Sequence, residues 1–284
     1  MRVDETAIEN YAAGLVAPDD AVDPESVPGG ESPEAIAAFA ICMNAINFGS
    51  GWWPTIRKRP GHSGYGTMSA GVEKRFSDAG PWTAAELTAM NAGTIAAVLG
   101  QDPDHPLMGR FADALRDVGE HLDDECGGPF LGVVAGATSI PDLAERFAAW
   151  DSFADVSTYH GREIPFYKRA QLAAADLHRA GVADLLGLGK LTAFADNLVP
   201  HVLRVDGVLR LDPRLQQRIE AEELLEHGSP EEVELRACAV HAIELLSAAG
   251  RALSPAAIDL ALWSRGRGRR YKSVPRPRSR NTAY

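Results

Sequence analysis

The sequence predicts a mostly α-helical protein, and three observations carry that prediction. Apolar residues recur at i, i+3 and i+4 in "AAELTAMNAGTIAAVLG" and "RFADALRDVGEHL", the spacing of amphipathic helices. Ser-Pro pairs at Ser32, Ser229 and Ser254 each precede an apolar run and read as an N-cap followed by proline at the first helical position. Strand patterns are few, with "FLGVVAGA" and "VLRVDGVLRL" the two weak candidates.

Taken in order, a short first helix is followed by "APDDAVDPESVPGGESPE" at 17–34, whose Pro, Asp, Gly and Ser content predicts an irregular connector. A buried helix then runs to Ile46, and "NFGSGWWPTIRKRPGHSGYGT" forms a Gly/Pro/aromatic loop. Helices follow at about 67–76, 83–98, 106–120, 141–149 and 166–180. A helix ends near Gly181, a short one reaches Leu186, and Gly187-Leu188-Gly189 makes a hairpin that opens another helix, giving a helix–hairpin–helix whose exposed N–H groups suit an anion. In "GSPEEVELRACAVHAIELLSAAG", Ser229, Pro230 and Glu232 spell a capping box and Gly250 a stop. "SPAAIDLALWSRG" starts the last long helix. Residues 1–34 therefore read as a helix with its connector, and 35–284 as a single helical domain.

With 45% hydrophobic and 24% charged residues and no apolar run of about 20, the expectation is a soluble protein without membrane contact. The acidic start "MRVDETAIEN" lacks a secretory pattern, which predicts the cytoplasm. Three scattered cysteines give neither a disulfide framework nor a metal-binding pair. A net charge of −11 opposes stable binding to nucleic acid. The tail "RGRGRRYKSVPRPRSRNTAY" is the exception, with cations and no acid, and reads either as a solvated tail or as one that folds back on an anion. HExxH, GxSxG, P-loop and dinucleotide fingerprints are missing from the sequence, so neither a metal nor a cofactor is expected.

The candidate chemistry lies in "GKLTAFADNLVP". If a helix runs through Pro200, the proline frees the Asp196 carbonyl and kinks that turn, leaving a carboxylate at the edge of the apolar stripe of Leu191, Phe194, Ala195 and Leu198. Such a group needs a partner, for which Lys190 and Arg204 qualify, or a task. In "REIPFYKRAQLAA", Tyr167, Lys168 and Gln171 fall on one face near a helix start, either solvated or in a site. "INFGSGWWPTIRKRPG" sets Asn47, Phe48, Trp52 and Trp53 beside Arg57, Lys58 and Arg59, a mixture that suits base stacking with phosphate contact, or equally a packed Ω-loop. Glu234, Arg236, His241 and Glu244 interrupt the apolar positions of the capped helix, where a buried Glu–Arg pair would be structural.

The segments "LTAFADNLVPHVLRVDGVL", "IEAEELLEHGSPEEVELRACAVHAIELL" and "DLALWSRG", with the "RPRSRN" tail, resemble the queuosine salvage protein family from about Ala35 to the end. The resemblance implies a fold similar to helix–hairpin–helix DNA glycosylases and hydrolysis of queuosine 5′-monophosphate to queuine and ribose 5-phosphate. It makes Asp196 of "FADN" the catalytic aspartate and Lys168 of "YKRAQ" a site lysine. The loop at 47–61 is longer than the "NF-W" loop of eukaryotic members. Queuine is a 7-deazapurine, so protonation at N7 is closed and the base must be activated through its pyrimidine edge and by stacking, which suits Phe48, Trp52 or Trp263. Lys168, His201, Arg204 or the C-terminal arginines suit the phosphate. Asn47, Tyr167, Gln171 and Asn197 complete the expected substrate contacts. The alternatives are a helix–hairpin–helix glycosylase acting on DNA or RNA, and a non-catalytic base-binding module.

Overall fold

The computed structural model describes residues 1–16, 32–250 and 253–284. Most of the connector expected at 17–34, residues 17–31, lies outside the described residues. Helices dominate: α1 (Glu5–Ala13), α2 (Pro33–Ala45), α3 (Gly64–Ala79), α4 (Ala84–Thr88), α5 (Ala92–Leu99), α6 (Pro106–Cys126), α7 (Leu131–Val134), α8 (Ile140–Ala148), α9 (Lys168–Arg179), α10 (Leu198–Val205), α11 (Pro213–Glu220), α12 (Pro230–Ala249), α13 (Pro255–Gly266) and α14 (Arg269–Lys272). Three two-stranded pairings complete the frame. They join β1 (Arg2–Val3) to β4 (Leu209–Arg210), β2 (Val156–Tyr159) to β3 (Arg162–Pro165), both antiparallel, and β5 (Leu224–Leu225) to β6 (Arg278–Ser279) in parallel. No helix among the described residues is long and apolar enough to cross a membrane.

The Ser-Pro starts behave as the sequence predicts. Ser32, Ser229 and Ser254 each accept a hydrogen bond from a backbone N–H of the first turn, so an orphan donor is satisfied locally. Glu232 departs from the capping box, because its carboxylate takes the N–H of Gly228 instead of that of Ser229. The helix expected at 83–98 breaks in two. Asn91 bonds the N–H of Thr94 and starts α5, while a Thr83–Glu86 capping box defines α4. "FLGVVAGA" is a single helical turn rather than a strand, because the distant Glu34 carboxylate caps the N–H groups of Phe130 and Leu131 at 2.7 and 3.0 Å. In "VLRVDGVLRL" only Leu209–Arg210 is extended; Val202–Val205 belong to α10 and Asp206–Val208 form the turn between them.

Two apolar cores lie side by side. The larger gathers α2, α5, α6, α8 and α9 with Trp82, Trp150 and Phe153, and the smaller packs α1, α10, α12 and α13. The first helix is thus part of the second core through Ile8 and Ala12. Residues 191–195 run along the seam. Leu191 and Phe194 belong to the larger core, Ala193 to the smaller, and Ala195 packs with Phe166 and Val233.

The basic tail folds back. Arg204 donates to Pro275 O at 2.6 Å, Asn197 to Pro277 O at 2.8 Å and Arg169 to Thr282 O at 2.7 Å, and the N–H of Gly49 reaches Tyr284 O at 3.0 Å. Gly51 is the tightest point under this strap, since a Cβ there would lie 2.4 Å from Ser279 O. Gly51→Ala is expected to destabilise the protein by about 1–3 kcal/mol, because backbone, rather than a flexible side chain, must move. Urea unfolding checks it, and a loss below about 0.5 kcal/mol would contradict the close contact.

Candidate active site

Asp196 does not sit in a kinked helix. Residues 191–197 are irregular and α10 begins at Leu198, which places Pro200 in the first turn, where a missing N–H leaves no helical bond unmade. The expected helix fails to form because side chains from three other helices take its backbone groups. Gln171 on α9 accepts the Thr192 N–H at 2.9 Å, Asp259 on α13 accepts the Phe194 N–H at 3.0 Å, and Arg236 on α12 donates to the Ala195 carbonyl at 2.9 Å. The short helix expected to reach Leu186 is also irregular, and Leu186 instead offers its carbonyl to Ile140 N–H. A 3-10 turn at Leu188–Lys190, opened by Gly187 with φ 103°, replaces the start of the second hairpin helix.

Asp196 is half-buried, and its Oδ1 accepts the N–H groups of Leu198 and Val199 at 2.8 and 2.9 Å. The other oxygen, Oδ2, has no hydrogen bond among the described residues, so it is the one left for a ligand.

Lys168 opens α9 and is buried, with Nζ donating to the Asn47 carbonyl at 3.0 Å. Burial pushes its pKa down to about 8, with the Asp196 charge pulling it back up. Asp259 was not singled out from sequence, although a carboxylate between Ile258 and Leu260 on an apolar helix is a readable anomaly. It is 4% exposed, and burial, then the charge of Asp196, push its carboxyl well above the usual range towards the neutral acid.

One ion pair joins these parts. Arg236 is bidentate to Asp155 at 2.9 and 2.6 Å, with both side chains almost fully buried. The same Asp155 accepts the backbone N–H of Lys168 at 3.1 Å, and its own carbonyl accepts those of Phe166 and Tyr167. Arg236 thus pairs with Asp155 and not with Glu234, which takes the Tyr159 hydroxyl instead.

The remaining expected contacts separate clearly. Gln171 holds the site segment through Thr192, and Tyr167, at φ 48°, sets the left-handed turn into α9. Asn47 supplies the carbonyl for Lys168. Asn197 and Arg204 grip the tail, and His201, which burial pushes down to about pKa 4, meets the Tyr271 carbonyl at 3.0 Å. Phe48 is buried between the Phe111 edge, 5.0 Å away, and the Arg169 guanidinium, 4.9 Å away. Trp52 is buried beside Arg110 and Arg280. Trp263 is half-buried on the smaller core with Arg267 over its ring. The structure therefore brings together Asp196, Lys168, Gln171 and Asn47, and packs Phe48 and Trp52 as core.

A helical frame that presents a carboxylate on a helix N-terminus, a buried lysine and an acid pushed towards its neutral form holds the groups that carboxylate and acid–base chemistry uses. A family model described as queuosine salvage protein matches residues 27–284. The chain is 33% identical over 267 residues to the queuosine 5′-phosphate N-glycosylase/hydrolase of Sphaerobacter thermophilus, covering 88% of this chain and 82% of that protein. Proteins of the same name from Dictyostelium discoideum and Bos taurus are 28% and 30% identical. The alignments cover 88% and 65% of this chain, and 79% and 57% of those proteins. The chain belongs to the queuosine salvage protein family.

The depressed Lys168 pKa has a signed consequence. Between about pH 8 and the 10.5 of an unburied lysine, the unfolded chain holds a proton at this position that the native protein has released. Stability contributed at this site therefore rises with pH across that window. In urea unfolding at pH 7.5 and pH 10, the stability of wild type relative to Lys168→Met should shift in favour of wild type at the higher pH. A gap that is constant with pH would contradict the burial.

Proposed function

We propose that the chain hydrolyses the N-glycosidic bond of queuosine 5′-monophosphate, releasing queuine and ribose 5-phosphate. The observation that carries this reading is Asp196, capping the start of α10 through Oδ1 with Oδ2 left unbonded among the described residues, and acting electrostatically on Lys168 and Asp259. Scission of the bond sends its electron pair onto the base and leaves oxocarbenium character at C1′, which the Asp196 carboxylate stabilises. Water then adds its oxygen to C1′, oriented by the same group. Asp259, held towards its neutral form, supplies the proton that the departing base takes up, and the water proton restores the balance. Lys168, below its pKa, keeps a positive charge beside Asp196 and prevents the two acids from sharing one proton. The names of the relatives support this substrate, since each is described as acting on queuosine 5′-phosphate.

Chromatography of a reaction with queuosine 5′-monophosphate should show queuine released by wild type. Asp196→Ala should lose about 10³-fold in rate, the scale of removing a principal electrostatic stabiliser. Release undiminished by the substitution, or none by wild type, would overturn the reading.

A further inference from the structure

The tail reaches the ion pair of Arg236 and Asp155 and meets it with an aromatic ring. Tyr284 is buried, and its ring centroid lies 4.5 Å from the guanidinium carbon of Arg236. Phe166 supplies a second ring at 3.9 Å. A guanidinium is planar, and the edge of this one is already occupied. Its Nε donates to the Ala195 carbonyl at 2.9 Å, and Nη1 and Nη2 donate to Asp155 at 2.9 and 2.6 Å. The faces remain for the two rings, which is how π systems hold a cation.

The edge contacts are the ones that hold the site. Ala195 directly precedes Asp196, and Asp155 accepts the backbone N–H of Lys168 at 3.1 Å. Tilting the guanidinium would break its bonds to both. Rings on its faces oppose that tilt and exclude the water that would compete for the same N–H groups. Tyr284 is itself fixed by its backbone. Its N–H donates to Asn281 Oδ1 at 3.0 Å, and its carbonyl accepts the N–H of Gly49 at 3.0 Å. Gly49 stands two residues after Asn47, whose carbonyl accepts Lys168 Nζ at 3.0 Å. One tail residue therefore touches the supports of both Asp196 and Lys168.

We infer that Tyr284 is a positioning residue for the reaction: its ring clamps the Arg236 guanidinium against the Ala195 carbonyl and so fixes the carboxylate of Asp196. The inference rests on the reading that Asp196 acts at C1′. It gives the tail a task carried by an aromatic ring and not by its arginines.

The test measures kcat and KM for queuosine 5′-monophosphate in wild type, Tyr284→Phe, Tyr284→Leu, Arg236→Lys and the double variant Tyr284→Leu/Arg236→Lys. Tyr284→Phe keeps the ring and should hold kcat within about threefold of wild type, whatever it costs in stability. Tyr284→Leu keeps apolar cover without a π face, and its kcat should fall about 30-fold, the scale of one desolvated cation–π contact. KM should stay within about threefold, because the substrate is still bound but met by a misplaced group. The double variant should fall no further than Arg236→Lys alone, since Tyr284 acts through that guanidinium.

Hydrogen exchange at Leu198 and Val199, whose N–H groups Asp196 Oδ1 accepts, reads the position of the carboxylate without turnover. It should quicken at least about tenfold in Tyr284→Leu and not in Tyr284→Phe, with the amides of α6 in the larger core unchanged. Where wild type turns over, a kcat that Tyr284→Leu leaves unchanged, or a loss that adds in full to that of Arg236→Lys, would overturn the positioning role and leave the glycosidase reading standing. Exchange that responds as expected in a protein without turnover would do the reverse. If Tyr284→Leu does not fold, Phe166→Leu removes the other ring and makes the same comparison.

Discussion

The bidentate pair of Asp155 and Arg236 is the constraint on which the site depends. Its two side chains are almost fully buried, and the guanidinium is flanked by the rings of Phe166 at 3.9 Å and Tyr284 at 4.5 Å. A buried ion pair is a poor source of net stability, because desolvation offsets most of the Coulomb attraction, yet removing one partner costs about 3–5 kcal/mol. Its value here is positional. Arg236 fixes the carbonyl of the residue before Asp196, and Asp155 fixes the N–H of Lys168, so one pair sets the spacing of the two groups to which the proposed chemistry is assigned.

Around that pair, the seam between the two cores keeps residues 191–197 out of a helix. Three side chains bind backbone groups that a helix would have bonded internally, and the segment stays irregular until Asp196 caps α10. Irregular backbone tied at several points by side chains of the surrounding helices is held in place without a helix of its own. The tail completes the arrangement from outside. It is tied to α10 through Asn197 and Arg204, and its Tyr284 ring closes over the buried pair. The segment that carries Asp196 and the tail are therefore mechanically one unit.

What was legible in the sequence follows the range of the interactions. Helix starts encoded by a Ser-Pro pair are local, and they stand where the sequence puts them. Asp196 and Lys168 are singled out by the resemblance to a family to which the chain belongs. A proline kink at Asp196 is a local argument applied to a segment governed by residues 21 to 65 positions away. No periodicity reveals that Gln171, Arg236 and Asp259 converge on it. Asp155 was invisible for the same reason, and Arg236 was read as a structural ion pair with the wrong acid. Aromatic residues beside arginines describe a stacking loop and a packed one equally well, and Phe48 and Trp52 pack. The tail's positive charge was legible, whereas its path over Gly51 and into the protein was not.

The most direct test of the whole account is the position of C1′ relative to residue 196. A crystal of Asp196→Asn soaked with queuosine 5′-monophosphate should show the residue 196 side chain within about 3.5 Å of C1′, the reach of a group acting on a reacting atom. The same density should place the base away from that side chain. Density that sets the base or the phosphate against residue 196, with C1′ remote from it, would contradict the assignment of Asp196 as the group that acts on the sugar.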